Sequence, residues 1–148
     1  MRNSILTLVT LTSLVAVPVW ADPDNWELLA GIEITETEEA GQWMVEKSIP
    51  AALTASADMF TISGYAVPIE AQAYIGSFLL VPDPDNCPFC GNSGYGPSLE
   101  VTLKRPLPAL AEGTAVNVTG RLEFDLSPET YQTVRLRDAL LEDPSAQP

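Results

Sequence analysis

Apolar and polar residues alternate along most of the chain after residue 58, and a period of two residues is typical of β-strands. One run, YIGSFLLV, is instead continuously apolar over the length of a strand. Segments rich in Pro, Gly, Asp and Asn, which favour turns, separate the runs. The pattern predicts five strands, which begin near Met59, Tyr74, Leu99, Val116 and Val134.

Two of the predicted strands share a glycine motif, FTISG ending at Gly64 and VNVTG ending at Gly120. The apolar positions change phase after Gly64, which predicts a glycine bulge where the strand bends. A residue without Cβ also relieves crowding where a long strand coils around a small barrel. We therefore predict an all-β fold, a small five-stranded OB-like Greek-key barrel. An immunoglobulin-like sandwich would need about seven strands.

The segment before the predicted barrel is acidic and less regular. WELLAG fits one helical turn that ends at Gly31, and residues 32–47 fit an acidic hairpin that turns at Ala40. The sequence leaves open whether this N-terminal acidic extension packs on the barrel. The predicted organisation is a leader over 1–21, the extension (short helix or hairpin) over 22–58, the barrel over 59–141 and a disordered tail over 142–148.

The first 21 residues have the features of a secretory signal peptide. Arg2 precedes the apolar run ILTLVTLTSLVAV, and Val19 and Ala21 are the small residues expected before a cleavage point. The run is short for a membrane-spanning helix, and Asp22 follows where a lipoprotein would have cysteine. We expect a periplasmic or secreted protein that is not a lipoprotein and has no membrane span once the leader is removed.

Charge and composition narrow the function classes. The chain has 7 basic and 20 acidic residues and a net charge of −13, which becomes one unit more negative when Arg2 leaves with the leader. Nucleic acid is an unfavourable partner, because binding phosphates requires a basic surface. The absence of histidine excludes Ser-His and Cys-His nucleophile pairs. We expect a non-enzymatic accessory protein that binds an envelope protein or a small ligand.

Three arginines lie on predicted strands, Arg121, Arg135 and Arg137. Their positions alternate with apolar residues, so we expect all three side chains on the outer face of the barrel. Ion pairing with the abundant carboxylates is their expected role, and a small anion site is the alternative.

The two cysteines of the chain form the motif CPFC, Cys87 to Cys90, in a turn-rich segment after the second predicted strand. Gly91 and Gly94 follow the motif, which argues against the helix that follows C-x-x-C in a thioredoxin fold. In an oxidising compartment the pair is expected to form a disulfide. Closing so short a ring stabilises the fold by only about 2 kcal/mol.

Two further hypotheses for this motif remain open. Two thiolates at this spacing can hold Cu(I), whereas Zn(II) would need further ligands from Asp83, Asp85 or a second subunit. CPFC also resembles the active-site tetrapeptide of glutaredoxin-like enzymes, which indicates thiol-disulfide exchange by Cys87 and Cys90. The local sequence lacks the cation or helix N-terminus that would lower a thiol pKa for such chemistry.

A ligand-binding barrel face is the rival hypothesis to the cysteine motif. OB domains bind ligands across their middle strands and neighbouring loops. Aromatic side chains there would stack on a sugar or a peptide. The candidates are Tyr65, Tyr74, Phe89 and Tyr95.

Four features in a fixed order carry a resemblance to a known family. They are GYAVPIE (Gly64 to Glu70), FLLVP (Phe78 to Pro82), a cysteine-bearing turn and a strand from Leu99. This order is similar to the core of a family of small exported bacterial domains of unknown function with OB-like topology, over roughly Met59 to Leu140. The resemblance implies a periplasmic location and the barrel fold, and brings no catalytic residues. Members often have a histidine and several prolines after FLLVP, whereas this chain has CPFCGNSGYGP.

Overall fold

The computed structural model describes residues 23–83 and 97–142. The leader predicted over 1–21 lies outside these residues, and so does the predicted tail except for Glu142. Within the two described ranges, no helix has the length and apolar character needed to cross a membrane. The elements are α1 (Pro23–Ala30), β1 (Glu33–Glu39), β2 (Gln42–Ser48), α2 (Ala51–Ala55), β3 (Phe60–Pro68), β4 (Tyr74–Val81), β5 (Leu99–Pro108), β6 (Thr114–Phe124) and β7 (Val134–Glu142).

Strands β3 to β7 close into a barrel in the order β3-β4-β5-β7-β6, and β6 returns to pair with β3. Four of these five pairings are antiparallel. The exception is β5 with β7, which are parallel and place Glu100 opposite Arg135. The third barrel strand therefore neighbours the fifth rather than the fourth. This is the five-stranded OB-like Greek-key barrel predicted from the sequence, and the fold class is confirmed.

The barrel interior is filled by the alternating apolar residues that defined the strands. Phe60, Ile62, Phe78, Leu80 and Val101 are at most 1% exposed. Removing such a side chain from water stabilises the fold by roughly 1.5–3 kcal/mol. The alternation in the sequence thus identifies the inner face of the barrel strands other than β4, whose run is continuously apolar.

The glycine bulge predicted at Gly64 is wrong. Strand β3 keeps a continuous register with β6 from Phe60 to Ala66. Gly64 is instead required by crowding, because a Cβ there would lie 2.6 Å from the carbonyl oxygen of Val81. The apolar phase changes because Tyr65 joins a second cluster around Val67 and Val81 on the outer face.

Strand β7, and not β3, contains a bulge. The register of β7 shifts against both of its neighbours, by one extra residue each time. Asp138 sits in this bulge with φ of 53°, a left-handed conformation that Asp adopts more readily than most residues. Opposite the bulge, a Cβ on Gly120 would lie 2.7 Å from the carbonyl oxygen of Arg137. Crowding, as predicted for the glycine motifs, therefore explains both Gly64 and Gly120.

Two strands end earlier than their alternation predicts. Ile69 and Leu126 lie in connections and are 45% and 63% exposed. After β6 the Asp125 carboxylate accepts a hydrogen bond from the Ser127 N–H. Such a local side-chain bond replaces the strand ladder with a turn.

The N-terminal extension packs on the barrel and contains both a helix and a hairpin. Trp26 on α1 donates its indole N–H to the Ser63 carbonyl at 2.8 Å, and Asn25 donates to the Thr61 carbonyl at 2.7 Å. These carbonyls belong to the part of β3 before its pairing with β4 begins at Tyr65. Trp26 and Leu53 of α2 also belong to the buried apolar cluster of the barrel.

We expect Gly64→Ala to lower the free energy of unfolding by about 1–3 kcal/mol, because the added methyl group meets backbone that cannot move without opening the barrel. Gly76→Ala is the matched control, since a Cβ there meets nothing within 4 Å. It should change stability by less than about 0.5 kcal/mol. Urea denaturation measures both, and equal effects would contradict the crowding explanation.

Candidate functional site

Most of the residues predicted to form a metal or disulfide site lie outside the described part of the chain. This applies to Cys87, Cys90 and Asp85. Asp83 is described and is an exposed residue two positions after the end of β4. Among residues 23–83 and 97–142, no group of three or more Cys, Asp or Glu side chains has the geometry to hold a metal ion.

The connection that carries the cysteine motif begins and ends on fixed, buried backbone. It leaves β4 after Val81 and enters β5 at Leu99, and both side chains are fully buried. Leu80 pairs directly with Leu99 in the antiparallel β4–β5 ladder. The two ends of the connection are therefore held next to each other at one end of the barrel.

The connection between β6 and β7, residues 125–133, lies at this same end. Because β5 and β7 are parallel, with Glu100 opposite Arg135, both strands begin at one end of the barrel. The cysteine-bearing segment precedes β5, and residues 125–133 precede β7. These two connections therefore emerge side by side. We call this end of the molecule the cysteine end.

The described aromatic candidates for a ligand face do not come together. Tyr65 pairs with Val81 at the last residue of β4, whereas Tyr74 is the first residue of the same strand. Seven residues of strand separate these positions by about 20 Å. Tyr65 packs against the outer cluster and Tyr74 is 64% exposed. Phe89 and Tyr95 lie outside the described residues.

A shallow depression of about 90 Å³ lies at the other end of the barrel, near the start of β4. Inside it, the Gln72 side-chain amide donates a hydrogen bond to the Glu70 carboxylate, and the Gln72 backbone N–H donates to the Glu70 carbonyl at 3.1 Å. None of the residues that line the depression carries a positive charge. Its lining residues are Ile69, Glu70, Gln72, Ile75, Gly76 and Ser77.

The acidic hairpin β1–β2 docks on residues 125–133 through a lysine. The Lys47 ammonium donates hydrogen bonds to the carbonyls of Asp125 at 2.8 Å and Gln132 at 2.7 Å. The Val45 N–H donates to the Pro128 carbonyl at 2.8 Å, and Val45 is 3% exposed. The hairpin thus fixes the shape of a connection at the cysteine end.

An aromatic pair completes this contact. The rings of Trp43 and Tyr131 lie 4.9 Å apart at an angle of 55°. The Tyr131 hydroxyl donates a hydrogen bond to the Glu36 carboxylate at 2.8 Å. Both rings remain partly exposed, Trp43 by 42% and Tyr131 by 52%.

Sequence reasoning missed these hairpin residues as part of a site. The available signal was the alternation of Trp43, Val45 and Lys47, which places all three on one face of β2. The two carbonyls that Lys47 contacts lie 78 and 85 positions later in the chain. No local pattern connects residues at that separation.

The arginines predicted on the outer face form the predicted ion pairs. Arg121 contacts Asp138 at 3.3 Å, and Arg137 contacts Glu123 at 3.3 Å. Arg135 is the most enclosed of the three and contacts both Glu100 at 3.2 Å and Asp125 at 3.8 Å. These arginines are therefore engaged by carboxylates of the chain itself.

Two basic residues of the barrel are not engaged in this way. Lys104 and Arg105 are exposed on β5, where its register with β4 is irregular. Neither forms an ion pair with any residue of the described ranges. Together with the three arginines and Lys47, they account for every basic residue after the predicted leader.

The comparisons with known proteins found no match: no family model, no curated protein and no solved structure is similar to this chain.

We expect Lys47→Met to release the hairpin from residues 125–133 and to lower the free energy of unfolding by about 1.5–3 kcal/mol, the contribution of hydrogen bonds to a charged group. Amide hydrogen exchange should rise in both β2 and residues 125–133. Lys104→Met is the control, because it removes an exposed charge that forms no ion pair with a residue of the two described ranges. Unchanged exchange in the Lys47 variant would show that the lysine does not hold the hairpin.

The hydrogen bond from Tyr131 to the Glu36 carboxylate is the main cause that raises the pKa of Tyr131 above 10.0. Partial burial and the negative charge of Glu36 act in the same direction. Since the folded-state pKa is raised, this bond contributes fully below about pH 10 and is lost as the pH rises through the raised pKa.

A pH titration followed by the ultraviolet absorbance of tyrosinate should show Tyr131 ionising above pH 10. The same titration of the Tyr131→Phe variant identifies which part of the signal belongs to Tyr131. Glu36→Gln should move that ionisation to lower pH, whereas Glu38→Gln should have a smaller effect. An equal shift in both variants would mean that the overall negative charge of the hairpin, and not this hydrogen bond, controls the pKa of Tyr131.

Proposed function

We propose that this protein is an exported, non-enzymatic binding protein of the cell envelope, whose binding element is the connection between β4 and β5 with Cys87 and Cys90. The signal-peptide features of residues 1–21 support export. The OB-type barrel supports a binding role, because barrels of this type bind ligands through their second and third strands and neighbouring loops.

The position of the two ends of the cysteine connection is the observation that supports this proposal. The connection joins the second and third strands of the barrel, β4 and β5. It emerges beside residues 125–133, which correspond to the fourth-to-fifth strand loop that OB domains also use for binding. The motif is therefore attached to two elements of the fold that commonly bind ligands.

Metal binding is the specific activity that we favour. Cys87 and Cys90 supply two thiolates, a set suited to Cu(I), and Asp83 and Asp85 supply carboxylates that Zn(II) would need in addition. The acidic surface raises the local concentration of cations. Deprotonated cysteines are required, so metal binding should weaken as the pH falls.

The test is the thiol and metal state of the protein after export through a bacterial periplasm. We expect reduced protein to take up about one Cu(I) or Zn(II) per chain, as expected for a single C-x-x-C pair. The variant Cys87→Ser/Cys90→Ser should lose this uptake. Asp83→Asn should reduce Zn(II) uptake more than Cu(I) uptake. Intact mass should also place the first residue at Asp22.

Other results of the same measurement would favour the alternatives. A metal-free disulfide that resists mild reductant, in a chain that also takes up no metal after reduction, would reduce CPFC to a structural cross-link. A readily reduced disulfide with a low-pKa thiol and no metal uptake would indicate a thiol-disulfide redox protein. Either result would overturn the metal-binding proposal.

A further inference from the structure

Strand β1 has an open edge. All seven of its residues pair with β2, from Glu33 opposite Ser48 to Glu39 opposite Gln42. On the far side of β2, the Val45 N–H bonds the Pro128 carbonyl, so residues 125–133 lie along that edge. Within the described ranges, no strand or backbone hydrogen bond covers the other edge of β1.

This edge is presented on a fixed support. Lys47 ties β2 to two carbonyls of the barrel, and Trp43 packs against Tyr131. Glu36 of β1 is itself held by the Tyr131 hydroxyl. An isolated two-stranded hairpin is marginally stable in water, so these contacts keep β1 extended before any partner binds. A preordered strand lowers the entropy cost of adding another strand.

The negative charge of the hairpin favours a positively charged partner at this edge. Glu33 and Glu38 on β1 and Glu46 on β2 are exposed, and none forms an ion pair with a residue of the described ranges. The basic residues that could neutralise them are engaged elsewhere or lie on β5. A second copy of the chain is disfavoured, because β1 against β1 would bring like charges together.

The hairpin face that packs on residues 125–133 also keeps some apolar surface exposed near this edge. Ile34 is 43% exposed and Trp43 is 42% exposed, and both lie on the face that includes Glu36 and Glu38. An aromatic ring next to carboxylates attracts the cationic end and the aliphatic stem of Lys or Arg.

We propose that the open edge of β1 accepts an extended, basic segment of another protein as a third strand of this sheet. Main-chain hydrogen bonds along β1 supply the pairing. Lys or Arg side chains on one face of the incoming strand meet Glu36 and Glu38, and those on the other face meet Glu33. This mode of recognition adds a strand to an exposed sheet edge. It uses a surface separate from the cysteine motif.

The probe is a short fluorescent lysine-valine peptide with lysines on both faces of its strand, long enough to pair with all of β1, added to the full mature chain. Fluorescence anisotropy should show saturable binding in low salt that weakens at least about tenfold in high salt. The same peptide with alternate amides N-methylated keeps its charge and loses the donors for strand pairing. It should bind at least about tenfold more weakly.

Two variants that each remove two negative charges test the location. Glu33→Gln/Glu38→Gln should weaken binding about 3- to 10-fold, since each exposed ion pair contributes modestly. Glu27→Gln/Asp58→Asn removes two charges from exposed positions outside the hairpin and should change affinity less than twofold. Equal weakening in both variants, or equal binding of the N-methylated peptide, would overturn strand addition at β1.

Sedimentation velocity of the protein without peptide tests whether a second copy of the chain occupies the edge of β1. We expect the sedimentation coefficient of a monomer across the concentration range. A dimer that the lysine-valine peptide dissociates would mean that a second copy covers β1, which would also overturn the proposal.

Discussion

The close approach of the Val81 carbonyl to Gly64 is the constraint on which the barrel depends. The last residue of β4 folds over β3 at a point where any Cβ would come within 2.6 Å of that oxygen. Between β6 and β7, on the opposite side of the barrel, Gly120 and the bulge at Asp138 permit a similarly close approach of two strands. Because Val81 also begins the cysteine connection, this packing determines where that connection leaves the barrel.

A second level of organisation rests on polar contacts. Lys47 places one positive charge on two carbonyls of residues 125–133, and so joins the acidic hairpin to the barrel. The Trp26 indole N–H donates a hydrogen bond to the Ser63 carbonyl, in the part of β3 that does not pair with β4. The extension is therefore part of the folded unit, although its composition alone is typical of a solvated, acidic segment. Its attachment gives the molecule a second surface next to the cysteine end.

Local pattern was sufficient to predict the barrel, because the inner residues of each strand, such as Ile62 and Val118, alternate with polar ones. Ion pairing of Arg121, Arg135 and Arg137 followed from the same alternation. The bulge was assigned to Gly64 because a glycine and a change of phase also mark bulges. Its true position at Asp138 depends on the register with two neighbouring strands, which the sequence of β7 does not contain. The hydrogen bonds of Lys47 and Tyr131 join residues 78 to 95 positions apart, so no window of sequence could indicate them.

The central claim is that the cysteine end of the barrel is where the protein binds its ligand. Amide chemical-shift mapping of the isotope-labelled, reduced protein with and without Cu(I) tests this claim most directly. The account predicts shifts at Val81, Leu99 and residues 125–133, with residues 69–73 and 109–113 at the other end unchanged. Shifts centred on residues 69–73, or no shifts with the metal in excess, would contradict it.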